Sequence, residues 1–242
     1  MKNVLVTGAT RGLGLAIAER LAAEGYHVIG TGRQPTPAIH ALAMSDFGGG
    51  RVSFASLELK DTDGIHDFVR DVTATHGQLY GLVNNAAVGH SGVLATMHDS
   101  EIDELIRVNL LSSIQLTKHA SRSMLLGKQG RIISISSIIA STGFKGLSVY
   151  AATKAALIGF SKSLARELGS AGVTVNTVSP GYMETEMSAG LAPGDLTKIE
   201  RRSALGQLAS VDDVAATVSF LLSDDAASIT GTDLTVDAGS TA

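Results

Sequence analysis

The sequence predicts an α/β protein, a doubly wound parallel sheet of about seven strands with helices on both faces. Short β-branched runs recur along the chain, each followed by a longer segment with helical spacing. Several runs are apolar almost throughout instead of alternating, as strands covered on both faces require. The first run leads through a glycine-rich turn directly into a helix.

The strands are read in order as KNVLVT (2–7), HVIGTG (27–32), VSFASLEL (52–59), GLVNNAA (81–87), RIISISS (131–137), VTVNTVSP (173–180) and DLTVDAG (233–239). Between them, 99–124 carries Ile102, Leu105, Ile106, Leu110 and Leu116 at helical spacing, with Asp99 or Ser100 as N-cap and Asn109 on the apolar side. A second long helix is expected over 150–168, where Leu157, Phe160, Ser161 and Leu164 recur at three and four and Gly169 and Gly172 supply a stop. Gly190, Pro193 and Gly194 mark 188–206 as a loop or mobile lid, and KIERR at 198–202 reads as a solvated part of it.

The 242 residues suffice for one large core, and no linker or shift of composition divides them, so 1–242 is expected to be a single domain with a substrate lid around 186–206. Apolar residues at 44% and charged residues at 17% describe a well-buried globular chain. A net charge of -4 gives no footprint for nucleic acid or anionic lipid, and no apolar run reaches spanning length. Without cysteine there is no disulfide, thiolate nucleophile or Cys-ligated metal, and the seven histidines, read as surface or loop residues, show no ligand spacing. GHSGV at 89–93 is out of register for a nucleophile elbow, which removes the serine-hydrolase reading. A cytoplasmic protein is expected.

In TGATRGLG, Gly8, Gly12 and Gly14 lead into the first helix, where a dinucleotide pyrophosphate can meet free N–H groups and the positive end of the dipole. The second strand ends in GTGR, with no carboxylate to repel a 2′-phosphate; Arg33 can pair with one, and Arg11 could meet it from the other side. This favours NADP(H). Tyr150 and Lys154 stand at i and i+4 on one helix face. An unperturbed tyrosine titrates near pKa ~10, and a neighbouring ammonium is expected to bring it down, so that the phenol exchanges its proton with a carbonyl oxygen. Ser137 lies at a strand terminus, the edge where ligands of open α/β sheets bind.

TGxxxGxG at 7–14, NNA at 84–86 and the arrangement of Ser137, Tyr150 and Lys154 resemble the short-chain dehydrogenase/reductase family over essentially the whole chain. The resemblance implies a Rossmann fold with Tyr150 as general acid/base, Lys154 lowering its pKa and holding the nicotinamide ribose, Ser137 orienting the carbonyl, and Asn109 keeping a water in the proton relay. It also implies that Gly8, Thr10, Arg11, Gly12, Leu13, Gly14, Arg33, Glu58, Leu59, Asn85, Ala86, Pro180, Gly181, Met183 and Thr185 bind the cofactor, with no metal. Ala87 stands where NNAG is usual, and Ala238 where VDGG is usual. A non-catalytic nicotinamide-binding regulator would dispense with the tyrosine or lysine, and both are kept.

Within the family the chain looks like the 3-oxoacyl-[acyl-carrier-protein] reductases, judged from GRIISISS, SPGYMETEM and ITGTDLTVDAG. That implies NADPH-dependent reduction of an acyl thioester on acyl carrier protein. Of two basic positions common in that group, Lys128 stays basic and Ala171 does not, so a coenzyme A thioester, another ketone or a secondary alcohol is the alternative. Small residues Ala151, Ala155 and Gly159 at four-residue spacing leave room for a second helix pair, and the resemblance implies a homotetramer or homodimer.

Overall fold

The computed structural model describes residues 1–184 and 193–242, the side chains of 193–196 excepted. Thr185 and the expected lid residues 186–192 lie outside the described residues.

Among the described residues seven strands form one sheet in the order β3-β2-β1-β4-β5-β6-β7. They are β1 (Asn3–Val6), β2 (His27–Gly32), β3 (Arg51–Ser56), β4 (Leu79–Asn84), β5 (Gly130–Ile135), β6 (Val173–Pro180) and β7 (Asp233–Val236). Every neighbouring pair is parallel. β4, β5 and β6 are buried along their whole length, which accounts for their mainly apolar or small residues, interrupted by the buried Asn84, Arg131 and Asn176.

Helices α1 (Gly12–Ala23) and α9 (Val211–Leu222) close one face around Ile17, Leu21, Val214 and Val218. α3 (Ile65–His76), α5 (Ser112–Gly127) and α7 (Ser148–Leu168) close the other around Val69, Leu116, Met124 and Leu168. Short helices α2 (Pro37–Met44), α4 (Asp99–Ile106) and α6 (Ile139–Thr142) sit in the connections. The strand order reverses between β1 and β4, and the carboxyl ends on either side of that switch point form the crevice in which such sheets bind ligands.

Five expectations are corrected. β3 stops at Ser56, so Glu58 and Leu59 stand on the following loop. The helix expected over 99–124 runs to Gly127 with His98 as its extended N-cap residue, because the Glu101 side chain reaches back to the His98 N–H at 3.2 Å while Asp99 is already helical. That helix widens into a π turn at Arg107–Leu111. The stretch around KIERR is helical, as α8 (Pro193–Arg202): Pro193 stands at its first position, where proline lacks no needed donor, and so does not break it. His27 is fully buried in β2, between Asn3 Oδ1 and the Ser53 hydroxyl at 2.9 Å each, so two neighbouring side chains satisfy a ring that the sequence left at the surface.

Candidate active site

The glycine loop joins β1 to α1 and is shaped by two positions that favour glycine. Gly8 has φ +66°, and a Cβ on Gly14 would lie 2.1 Å from the Gly8 carbonyl oxygen. α1 therefore starts against the end of β1. Arg11, its N-cap residue, offers no side-chain cap and the first turn holds no acidic residue, which leaves the helix start suited to an anion. The residues present thus fit a pyrophosphate.

Thr7 ties this loop to the strand across the switch point. Its hydroxyl accepts the N–H groups of Asn85 and Ala86 at 2.9 and 3.0 Å, while the Asn85 amide donates to the Thr7 carbonyl at 2.9 Å. Asn85 and Ala86 are thereby held beside Gly8. The Asn84 amide instead donates to the Thr117 hydroxyl at 2.9 Å and pins the sheet centre to α5. Ala87 does not take the left-handed conformation that would demand glycine, so the change from NNAG costs the backbone nothing.

Arg33 leaves the end of β2 and Arg11 the glycine loop, both exposed, with half-buried Thr10 between the loop and β2. Glu58 is exposed and accepts the Lys60 N–H at 3.1 Å, which closes its own loop; Leu59 packs against the core. Leu13 belongs to the apolar core. Pro180 ends β6 and accepts the Ile138 N–H at 3.1 Å, and the Gly181 N–H donates to Val236 at 2.9 Å. A Cβ on Gly181 would lie 2.7 Å from Asp237 Cβ, and Met183 packs half-buried beside the core.

α7 carries Tyr150 and Lys154 to the end of β5. Tyr150 lies near enough to Ser137 for that hydroxyl to lower its pKa, and Lys154 Nζ lies 5.7 Å from the centre of the Tyr150 ring. Lys154 is buried, and its ammonium donates to the Ile135 carbonyl at 2.7 Å while Ser136 Oγ donates to its backbone carbonyl at 2.9 Å. Asn109, in the π turn, grips Val88 through both backbone groups, accepting at 2.8 Å and donating at 2.9 Å. It also reaches the Thr153 hydroxyl at 3.5 Å, which in turn donates to the Tyr150 carbonyl at 2.7 Å. Ser137, Tyr150 and Lys154 thus converge, with Asn109 one link away.

The electrostatics differ from the expectation. Burial pushes the Tyr150 phenol up to about 12, and the nearby Ser137 hydroxyl draws it back only in part. Burial also lowers Lys154 to about 8. Desolvation penalises the charged form of both groups and is the largest cause of each shift. Tyr150 therefore holds its proton more tightly than a free phenol, and Lys154 holds its proton less tightly than a free ammonium.

Sequence reasoning missed Thr7, Ser136 and Thr153, whose hydroxyls position the others. Thr7 had a signal, since it opens the glycine motif; Ser136 and Thr153 gave none beyond proximity to Ser137 and Lys154. Among the described residues no three histidine, aspartate or glutamate side chains are grouped to hold a metal, and no helix is long and apolar enough to cross a membrane.

A family profile described as enoyl-(acyl carrier protein) reductase matches residues 8–241. The chain is similar to 3-oxoacyl-[acyl-carrier-protein] reductase FabG of Escherichia coli K12, 43% identical over 98% of this chain and 96% of the relative. The Haemophilus influenzae protein of the same name is 40% identical over 98% and 97%. Among solved structures, a short-chain dehydrogenase/reductase from Serratia marcescens BCRC 10948 superposes with TM-score 0.92 at 34% identity, over 100% of this chain and 98% of that one. The parallel sheet, the glycine loop against α1 and the Ser137, Tyr150 and Lys154 cluster agree with these full-length matches, and the chain belongs to the short-chain dehydrogenase/reductase family.

Proposed function

We propose that the protein is an NADPH-dependent reductase of 3-oxoacyl thioesters that yields the 3-hydroxyacyl product. The observation that carries this reading is the convergence of Ser137, Tyr150 and Lys154 at the end of β5, in a chain 43% identical to a reductase named for that substrate. Bound NADPH supplies the hydride. Gly8, Gly12 and Gly14 with the start of α1 hold its pyrophosphate, Arg11 and Arg33 its 2′-phosphate, and Thr10, Leu13, Glu58, Leu59, Asn85 and Ala86 line the adenosine side. Pro180, Gly181, Met183 and Thr185 support the nicotinamide side, and Lys154 its ribose.

Ser137 orients the 3-oxo group, and Tyr150 donates its hydroxyl proton to the carbonyl oxygen as that oxygen becomes an alkoxide. The resulting phenolate is reprotonated through Lys154, with Asn109 holding the relay by way of Val88 and Thr153. The chain acts as one domain with a lid around 186–206, in the cytoplasm. It assembles as a homotetramer or homodimer, using the apolar groove that Ile102, Ile106 and Leu110 form with Val149 and Ala152.

A second reading rests on Ala171, which leaves Lys128 as the one basic residue of the two positions and weakens docking of an acidic carrier. It assigns a coenzyme A thioester, or another ketone or secondary alcohol, to the same chemistry. Initial rates of NADPH and NADH oxidation with acetoacetyl-coenzyme A test the proposal. Fast turnover selective for NADPH supports it; binding of NADPH without turnover moves the substrate to another ketone, and no binding refutes the cofactor.

A further inference from the structure

The turn between β2 and α2 is fastened to the glycine loop at both ends. At its start the Ala9 N–H donates to the Thr31 carbonyl at 2.9 Å, and a Cβ on Gly32 would lie 2.6 Å from the Thr10 methyl, so Thr10 packs on bare backbone. At its end the Thr36 hydroxyl donates to the Thr10 carbonyl at 2.8 Å and accepts the Ile39 N–H at 3.4 Å. In the middle the Ser56 hydroxyl donates to the Arg33 carbonyl at 2.8 Å. Arg33 therefore stands on a short turn held at three points, and Arg11 is the residue after the one that Thr36 grips.

Thr36 is itself rigid. Pro35 and Pro37 flank it, and a residue before proline is confined to extended backbone, which Thr36 adopts with φ −110° and ψ 161°. Its backbone is thus restricted, and the hydroxyl is held by the two hydrogen bonds it makes. The bond to Thr10 lies outside the needs of the helix cap, since the cap uses the hydroxyl only as an acceptor.

We infer that Thr36 is a positioning residue for cofactor selectivity: its bond to Thr10 fixes the spacing of Arg11 and Arg33 and so favours a 2′-phosphate over a ribose hydroxyl. The inference rests on the NADP(H) reading above. A loosened turn leaves each arginine in place as a charge but removes their common geometry, on which bidentate recognition of phosphate depends.

Titration calorimetry of the intact protein with NADP⁺ and NAD⁺ tests it on wild type, Thr36→Val, Thr36→Ser, Arg33→Ala and the Thr36→Val/Arg33→Ala double variant, with thermal melts alongside. Thr36→Val is expected to weaken NADP⁺ about fivefold, the size of one net hydrogen bond, and to move NAD⁺ less than twofold. Thr36→Ser keeps wild-type binding, and in the Arg33→Ala background Thr36→Val has no further effect on NADP⁺. Thr36→Ala loses the same bond with a smaller side chain and is read in place of Thr36→Val should valine prevent folding. Equal weakening of both nucleotides, or an undiminished effect without Arg33, makes Thr36 a mere helix cap and overturns the inference. Wild type with no preference for NADP⁺, or an Arg33→Ala variant that keeps the preference, overturns the cofactor reading and this inference together.

Discussion

Tyr150 holds its proton more tightly than a free phenol, and that decides what its loss does. Tyr150→Phe keeps the ring and the packing but removes the donor. It is expected to lower kcat by roughly 10² or more while NADPH binding, followed by nucleotide fluorescence, changes little. Unchanged turnover would take Tyr150 out of the mechanism. Ala238 makes a different prediction, because it sits at φ +55°, in the left-handed region that favours glycine. Ala238→Gly is expected to raise stability by about 0.5–1 kcal/mol in urea unfolding, relief of left-handed strain exceeding the entropy cost of glycine. At this scale Ser137, Tyr150, Lys154 and the loop glycines were legible, since their spacing carries their geometry. The direction of the Tyr150 shift was not, because burial is a property of everything packed around the ring and no local spacing encodes it.

Elements add effects that no single position shows. At the amino end of the sheet His27 of β2 lies between Asn3 of β1 and Ser53 of β3, with the Arg51 guanidinium 3.3 Å from its ring and the His76 ring of α3 edge-on at 5.0 Å. Burial first, then the charges of Arg51 and His76, lower its pKa from the ordinary 6.5 to about 4. The unfolded chain binds this proton below pH 6.5 and the folded chain only near pH 4, so His27 makes stability fall as pH drops through that window. Urea midpoints of wild type should decline more steeply between pH 6.5 and 4.5 than those of His27→Gln, and parallel declines would refute the role. α9 depends on Ser210, whose hydroxyl accepts the Asp213 N–H at 3.0 Å while Asp213 returns the bond to the Ser210 N–H at 3.0 Å. Ser210→Ala is expected to cost about 1 kcal/mol by the same measurement. The long helix through Asn109 was legible from its apolar period. Its π turn was not, since one widened turn leaves the surrounding repeat unchanged, and α8 was missed because Pro193 looks the same in sequence whether it opens a helix or prevents one.

For the molecule as a whole, the strand runs and the crossovers between them were enough to give a parallel sheet, because burial on both faces and right-handed connections leave few other topologies. Assembly is less legible, since a small or apolar residue on a helix serves the chain's own sheet and a second copy equally well. Ile106, 44% exposed on the groove between α4 and α7, separates the two. Ile106→Asp is expected to reduce the mass found by sedimentation at micromolar concentration, and an unchanged oligomer would place the interface elsewhere.

The position of β1 between β2 and β4 also orders events during synthesis. As the nascent chain leaves the ribosome, β1, β2 and β3 can pair early, but one edge of β1 stays open until residues 79–84 have emerged, and β7 must wait for nearly the whole polypeptide. An unpaired apolar edge invites adhesion to other chains, and contacts between distant segments slow its closure. A chaperone that shields the first half of this chain would therefore protect β1, the strand from which the glycine loop departs.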